Sequence, residues 1–270
     1  MSRYLIGIDN GGTMSKAAVF TDAGNELASA SRKVEILEPR PGWSERDMEA
    51  MWQNTAAAVR EALAAARIDP ADVACVACTG HGNGLYLIDA EGRPVRNAVN
   101  SMDQRAADII ARWKADGTAA RALPLTAQCV WPAQPNALLA WLRQHEPRAL
   151  ETTDALLMAK DYTRFRLTGD VRMELTDMSG TSLMNVPHAR YDDAVLDIFG
   201  LADLKRLLPP LVQSADLCGA VTPAAAALTG LKPGTPVAGG MFDIDACGLA
   251  SGCTDERQLE IGRASCRERV

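Results

Sequence analysis

Two kinds of apolar pattern alternate along the chain. Residues 4–8 (YLIGI) and 16–20 (KAAVF) are short apolar runs of strand length, joined by Asn10-Gly11-Gly12-Thr13. A two-glycine turn between two such runs predicts a hairpin. Ser44-Glu45-Arg46-Asp47 then reads as a capping box opening a helix. Met48, Met51, Trp52, Val59 and Leu63 recur at helical spacing to about residue 66, a stripe facing the core. Residues 73–79 read as a buried strand leading into a Gly80 to Gly84 loop, and 85–89 as another strand ended by Glu91-Gly92. Helices are expected over 103–114, over 135–145 with proline in the first turn, and over 161–167, closed by Gly169. A short strand is expected over 155–158. Strands alternating with helices give an α/β domain, and the opening hairpin makes its sheet mixed.

Two segments carry candidate chemistry. In Asp9-Asn10-Gly11-Gly12-Thr13 the glycines permit positive φ, which would let successive N–H groups converge on an anion. Thr13 and Ser15 add hydroxyl donors, Lys16 adds a positive charge, and Asp9 at the strand end is placed to hold a hydrated Mg²⁺. GxxxxGK[ST] is absent, and a strand rather than a helix follows the glycines, which excludes a P-loop and a dinucleotide fingerprint. An ordinary Asx-Gly turn without a ligand is the alternative. Downstream, Gly239-Gly240-Met241-Phe242-Asp243 brings a glycine pair, suited to close approach of backbone to ligand, up to one carboxylate. A carboxylate there can accept the proton of an attacking hydroxyl, as phosphoryl transfer requires. Asp245 is the rival, and either aspartate is also a candidate helix N-cap.

With these segments, the chain resembles the FGGY family of carbohydrate kinases from about Tyr4 to about Leu259. The motifs fall in family order: IGIDNGGT at the start, PGWSERD at 41–47, TGHGNG at 79–84, SMDQRA from Ser101, EPRAL from Glu146, KDYTRFRLTG from Lys160, TDMSGTS from Thr176 and GGMFD from Gly239. The resemblance implies the actin/hexokinase-like (ribonuclease H-like) ATPase fold, with residues 1–259 as a sugar-binding N-terminal domain. It implies ATP and Mg²⁺ as cofactors. Asp9 would organise the metal, Gly11, Gly12 and Thr13 would line the nucleotide phosphates with Lys16 nearby, and His81, Asn83 and Asp103 would contact sugar hydroxyls. Asp243 would be the catalytic base and lie against the sugar. His81 hydrogen-bonding a neighbouring loop, and Asp103 capping the helix after it, are the structural alternatives. Within the family the pattern is closest to kinases of L-xylulose and 3-keto-L-gulonate. Where xylulose kinases carry Gln-Met-His-Gly, this chain has His81-Gly82-Asn83-Gly84, which makes D-xylulose a poorer fit. A non-catalytic sugar-binding module, an ATPase of the actin or chaperone type, and a kinase for erythritol, glycerol or another polyol stay open.

Composition narrows the partners. The 270 residues carry a net charge of −6 with no basic run, which argues against nucleic acid and anionic membranes. No apolar stretch is long enough to span a bilayer, and no signal peptide precedes the first strand, so a cytoplasmic protein is expected. A homodimer is left open. The seven cysteines lack framework spacing, and Cys75 and Cys78 read as small core residues in a reducing cytosol rather than zinc ligands. Residues 261–270 bring three arginines abruptly and resemble a translated sequencing-library adapter, so 260–270 are expected to be a non-native tail. On that reading the family's nucleotide-binding C-terminal domain is missing, and the fragment alone has negligible turnover.

Overall fold

A computed structural model describes residues 3–255, 257 and 258. The expected non-native tail at 260–270 lies outside the described residues. The opening apolar runs form β1 (Tyr4–Asn10) and β2 (Met14–Thr21), an antiparallel hairpin extended by β3 (Glu26–Lys33). β4 (Val73–Gly80) runs parallel to β1 on its other side. Beyond it lie β5 (Leu217–Ala220) and β6 (Pro236–Ala238), giving the order β5-β6-β4-β1-β2-β3. A last strand, β7 (Met241–Phe242), also pairs with β4, parallel. The sheet is therefore mixed, as the opening hairpin requires.

β6 and β7 are one strand interrupted. Val237 pairs with Val76 and Met241 with Thr79, so one extra residue is inserted on the outer strand, a bulge at Gly239-Gly240. Gly240 is left-handed (φ 81°), and a Cβ on it would collide with the Cys78 carbonyl. A Cβ on Gly239 would collide with the Gln213 carbonyl. The glycine pair thus allows backbone to approach backbone, a role the sequence did not indicate.

One face of the sheet is covered by α1 (Met48–Ala66), α2 (Ala159–Thr168) and α3 (Pro223–Thr229). Met48, Met51, Trp52, Val59 and Leu63 are all buried on α1, as its periodicity dictates. Side chains of this size each contribute roughly 1.5–3 kcal/mol on full burial. Helices at Ala107–Ala115, Thr118–Thr126, Pro135–His145 and Asp193–Phe199 pack together into an attached lobe. On the other face, Gly7, Ala18, Phe20 and Ala77 border an apolar cavity of about 630 Å³. Among the described residues no helix is long and apolar enough to cross a membrane.

Three local expectations fail for identifiable reasons. Asp47, not Ser44, caps α1, its carboxylate accepting the Ala50 N–H at 2.9 Å. Glu45 and Arg46 instead form a short buried strand against Ala98–Val99. The helix expected from Asp103 begins only at Ala107, because the Asp103 carboxylate is drawn inward. Cys78 is buried, its thiol pushed up to about 12 by burial, whereas Cys75 is only half-buried.

Candidate functional site

The candidate residues collect where β1, β4 and β7 end. Asp9 pairs with Thr79, and Thr79 with Met241; Asn10 pairs with Gly80, and Gly80 with Phe242. Three parallel strands therefore release the hairpin turn, the Gly80–Gly84 loop and Asp243 side by side. Two strand spacings, roughly 10 Å, separate Asp9 from the outer strand. The carboxyl ends of parallel strands are the usual ligand edge of an α/β sheet.

The hairpin turn is held from below. Asn10 is buried; its amide donates to Thr163 Oγ1 (2.6 Å), and its Oδ1 accepts from Ser15 (2.6 Å) and Thr55 (3.0 Å). The Ser15 hydroxyl is thereby turned inward, against the expectation that it faces an anion. Arg46 is fully buried and donates through Nη2 to the carbonyls of Gly11 (3.2 Å) and Gly12 (2.8 Å), and through Nε to Asn100 (2.6 Å). With those carbonyls pinned inward, the Gly12 and Thr13 N–H groups take no part in either ladder or in the turn's Gly11-to-Met14 hydrogen bond. Neither glycine has positive φ, contrary to expectation. A Cβ on Gly12 would meet nothing within 4 Å, so its bareness leaves the outer side of the turn open. Lys16 faces Asp9 across the hairpin, Nζ 3.7 Å from Oδ2, and both border the cavity.

The loop after β4 is shaped by sterics. A Cβ on Gly82 would strike the Phe242 ring and sit 2.9 Å from Asp177 Oδ1; one on Gly84 (φ 79°) would strike the Val99 carbonyl. Between them Asn83 adopts φ 61°, a left-handed conformation that asparagine tolerates. Its Oδ1 is buried without a hydrogen-bond partner, an acceptor suited to a ligand hydroxyl. His81 is buried, Nε2 2.9 Å from Tyr86 Oη and Nδ1 3.3 Å from the Gly82 carbonyl. Burial, reinforced by the Arg46 charge, lowers its pKa to about 3. That value lies below the ordinary 6.5, so the stability tied to neutral His81 is complete above pH 6.5 and is lost as pH falls toward 3. The ring should therefore stay neutral to about pH 4; ¹⁵N imidazole shifts check this, and protonation near 6.5 would contradict the burial argument.

Both oxygens of the buried Asp103 carboxylate are taken by protein donors. Its Oδ1 accepts from the Arg105 N–H and Nε, its Oδ2 from the Ser44 N–H (2.7 Å) and Arg105 Nη2. Arg105 packs against both Trp43 and Trp141 and also donates to Glu45. Asp103 thus acts within a buried wall and caps no helix.

Asp243 is the first residue of α4 (Asp243–Ala250), whose N-cap is Phe242. Neither Asp243 nor Asp245 is the N-cap, although both acids favour the positive end of the helix dipole. Beside Asp243 lies a buried ionic cluster that sequence reasoning left without a role. Lys160 Nζ, fully buried, stands 3.0 Å from Asp161, 3.2 Å from Glu174 and 3.6 Å from Asp177. Burial opposes its charge, but the three carboxylates outweigh that and raise its pKa. Asp177 is raised well above the usual carboxylate range, chiefly by burial, with Lys160 opposing and the charges of Asp161, Glu174 and Asp243 adding. Four charged residues within the ten-residue helix 159–168 offered no sequence signal that most of them would be buried. Among the described residues no group of three or more His, Cys, Asp or Glu side chains is arranged to hold a metal ion.

The profile of the N-terminal domain of the FGGY family of carbohydrate kinases matches residues 4–249. L-xylulose/3-keto-L-gulonate kinase of Escherichia coli (strain K12) is 38% identical over 259 residues, 96% of this chain and 52% of that protein. Xylulose kinase of Bacillus subtilis (strain 168) is 30% identical over 246 residues, 91% of this chain and 48% of that protein. The crystal structure of xylulose kinase from Rhodospirillum rubrum has a TM-score of 0.86 at 28% identity, covering 94% of this chain and 51% of that one. The chain spans about half the length of the curated relatives it matches.

Proposed function

The chain belongs to the FGGY family of carbohydrate kinases, and from that premise we propose that it is the sugar-binding half of an enzyme that phosphorylates a sugar hydroxyl with ATP. The acceptor we assign is a ketopentose or keto sugar acid, L-xylulose or 3-keto-L-gulonate. One observation supports this reading most: a pinned glycine turn, a loop bearing an orphaned buried acceptor, and Asp243 leave three adjacent strands in one register.

In this mechanism Asp243 accepts the proton of the attacking hydroxyl. Asn83 receives a neighbouring hydroxyl at its buried Oδ1. His81, neutral and already bonded to Tyr86 and the Gly82 carbonyl, stiffens the loop that carries Asn83, and Asp103 stiffens the wall behind it through Arg105. The Gly12 and Thr13 N–H groups orient the nucleotide phosphates, with Gly11 shaping the turn and Lys16 adding positive charge. Asp9 is the carboxylate that would hold Mg²⁺, which when bound offsets the charge of the phosphate oxygens. Catalysis of this kind is positioning and electrostatics. The described cysteines are all free, which fits a reducing compartment, and we place the enzyme in the cytoplasm. We further propose that 1–259 is the domain boundary and that turnover needs the family's second, nucleotide-binding domain.

The test is ADP release by the protein read from its complete reading frame, across L-xylulose, 3-keto-L-gulonate, D-xylulose, glycerol and erythritol. We expect sugar-dependent release with kcat/KM for one of the first two at least about tenfold above the rest, the discrimination that one or two hydroxyl contacts supply. ATP hydrolysis indifferent to sugar would reject the reading.

A further inference from the structure

The buried charges around Lys160 are arranged as a clamp on the segment that carries Asp243. Three backbone atoms of that segment are held. The Gly239 carbonyl accepts from Arg164 Nη1 at 2.7 Å. The Gly240 N–H donates to the Ser214 carbonyl at 3.0 Å, while the Ser214 hydroxyl donates to Glu174 Oε1 at 2.8 Å. The Phe242 N–H donates to Thr176 Oγ1 at 2.9 Å. Arg164 is paired with Asp161 at 2.6 Å, and Asp161 and Glu174 both meet Lys160. The three contacts therefore trace back to one ionic cluster.

We propose that Thr176 is a positioning residue for Asp243, fixing the peptide that precedes the carboxylate by accepting the Phe242 N–H while its own proton is committed to Glu174. The hydroxyl has one donor and two acceptor sites, and here both functions are used. Its proton goes to Glu174 Oε2 at 2.7 Å, and Glu174 Oε1 also takes the Thr176 N–H at 3.0 Å. Rotation of the hydroxyl is thereby fixed, and the lone pair facing Phe242 is always presented. The bulge gives this hold its purpose. An inserted residue leaves β7 with a two-residue pairing to β4, too little to define where the chain turns into α4. The Thr176 hydroxyl supplies the missing constraint one residue before the carboxylate. Glu174 is itself kept ionised: burial would raise its pKa, but the Lys160 charge and the Thr176 and Ser214 bonds bring it below the usual range.

The inference rests on Asp243 being the proton acceptor, and its test separates the two. Thr176→Val keeps the shape and removes both bonds; Thr176→Ser restores them. In the protein read from its complete frame, with ATP, Mg²⁺ and L-xylulose, Thr176→Val should lower kcat by about 10- to 100-fold with the sugar KM within about twofold, since small misplacements of a reacting group have effects of this order. Thr176→Ser should recover to within about threefold of the parent. Wild-type kcat in Thr176→Val, beside an inactive Asp243→Asn, would overturn the clamp and leave the base intact. A fully active Asp243→Asn would overturn the base instead. A readout free of turnover accompanies this: amide exchange in the 270-residue chain. Exchange at the Phe242 N–H should quicken by about tenfold or more in Thr176→Val, with the β1–β2 hairpin unchanged. Unchanged exchange at Phe242 would overturn the clamp whatever the kinetics, and Ser214→Ala, which removes a weaker strut of the same cluster, gives a second reading if Thr176→Val does not fold.

Discussion

Asp243→Asn should lower kcat for sugar phosphorylation by about 10²–10⁴ while leaving the sugar dissociation constant within about threefold, the usual size of a general-base contribution. Asparagine keeps the shape and one acceptor oxygen, so ground-state contacts to the sugar persist; what disappears is the capacity to take a proton as the O–P bond forms. Asp243 stands at the first position of α4, at the edge where β1, β4 and β7 end. Steady-state kinetics with the complete protein, paired with calorimetric sugar binding, separate the two quantities. An unchanged kcat would dismiss Asp243 as the base, and a loss of binding equal to the loss of rate would make it a sugar ligand only.

Lys160→Met should destabilise the domain by about 3–5 kcal/mol, the range seen when one partner of a buried ion pair is removed. The cost comes from what remains. Asp161 and Glu174 would keep their negative charges in a fully buried site, with Arg164 the one cation left among them. Against a typical net stability of about 5–15 kcal/mol, that loss approaches unfolding. The pH dependence carries the sign. Burial already pushes the Glu174 pKa up, and without the Lys160 charge that opposes it the folded-state pKa of Glu174 should rise above the unfolded value. A raised folded pKa contributes stability that is present below the unfolded pKa and lost as pH rises through the folded one. The deficit relative to the parent should therefore be largest near neutrality and shrink toward about pH 5. Urea unfolding at several pH values measures it; a pH-independent deficit would point to lost packing rather than unpaired charge.

Both predictions depend on the same piece of architecture, and neither was visible at full strength in the sequence. Asp243 was singled out because a glycine pair precedes it, yet those glycines serve a bulge in which Gly240 approaches the Cys78 carbonyl and Gly239 the Gln213 carbonyl. The local signal that singled the residue out therefore has a packing role of its own, in the bulge. The capping-box reading at residues 44–47 went wrong in a comparable way. Asp47 does cap α1, but Arg46 is the important member, reaching the Gly11 and Gly12 carbonyls from some 35 positions along the chain.

The sequence alone determined whatever depends on neighbours along the chain. Strand length and alternation set the β1–β2 hairpin, the 3.6-residue period set the buried face of α1, and Gly169 ended α2 by taking the left-handed conformation. Motif order identified the FGGY family, because a series of short motifs in one order rarely arises by chance. Only the tertiary structure decided which polar groups remain available to a ligand. Asp103 spends its oxygens on Arg105 and Ser44, Ser15 turns inward to Asn10, and His81 is neutral because it is buried beside Arg46. These outcomes turn on desolvation and on partners far apart in sequence, for which a linear pattern has no signature. Lys160, Glu174 and Thr176 read as ordinary polar residues until the fold buries the first two and brings the half-buried Thr176 against them beside Asp243.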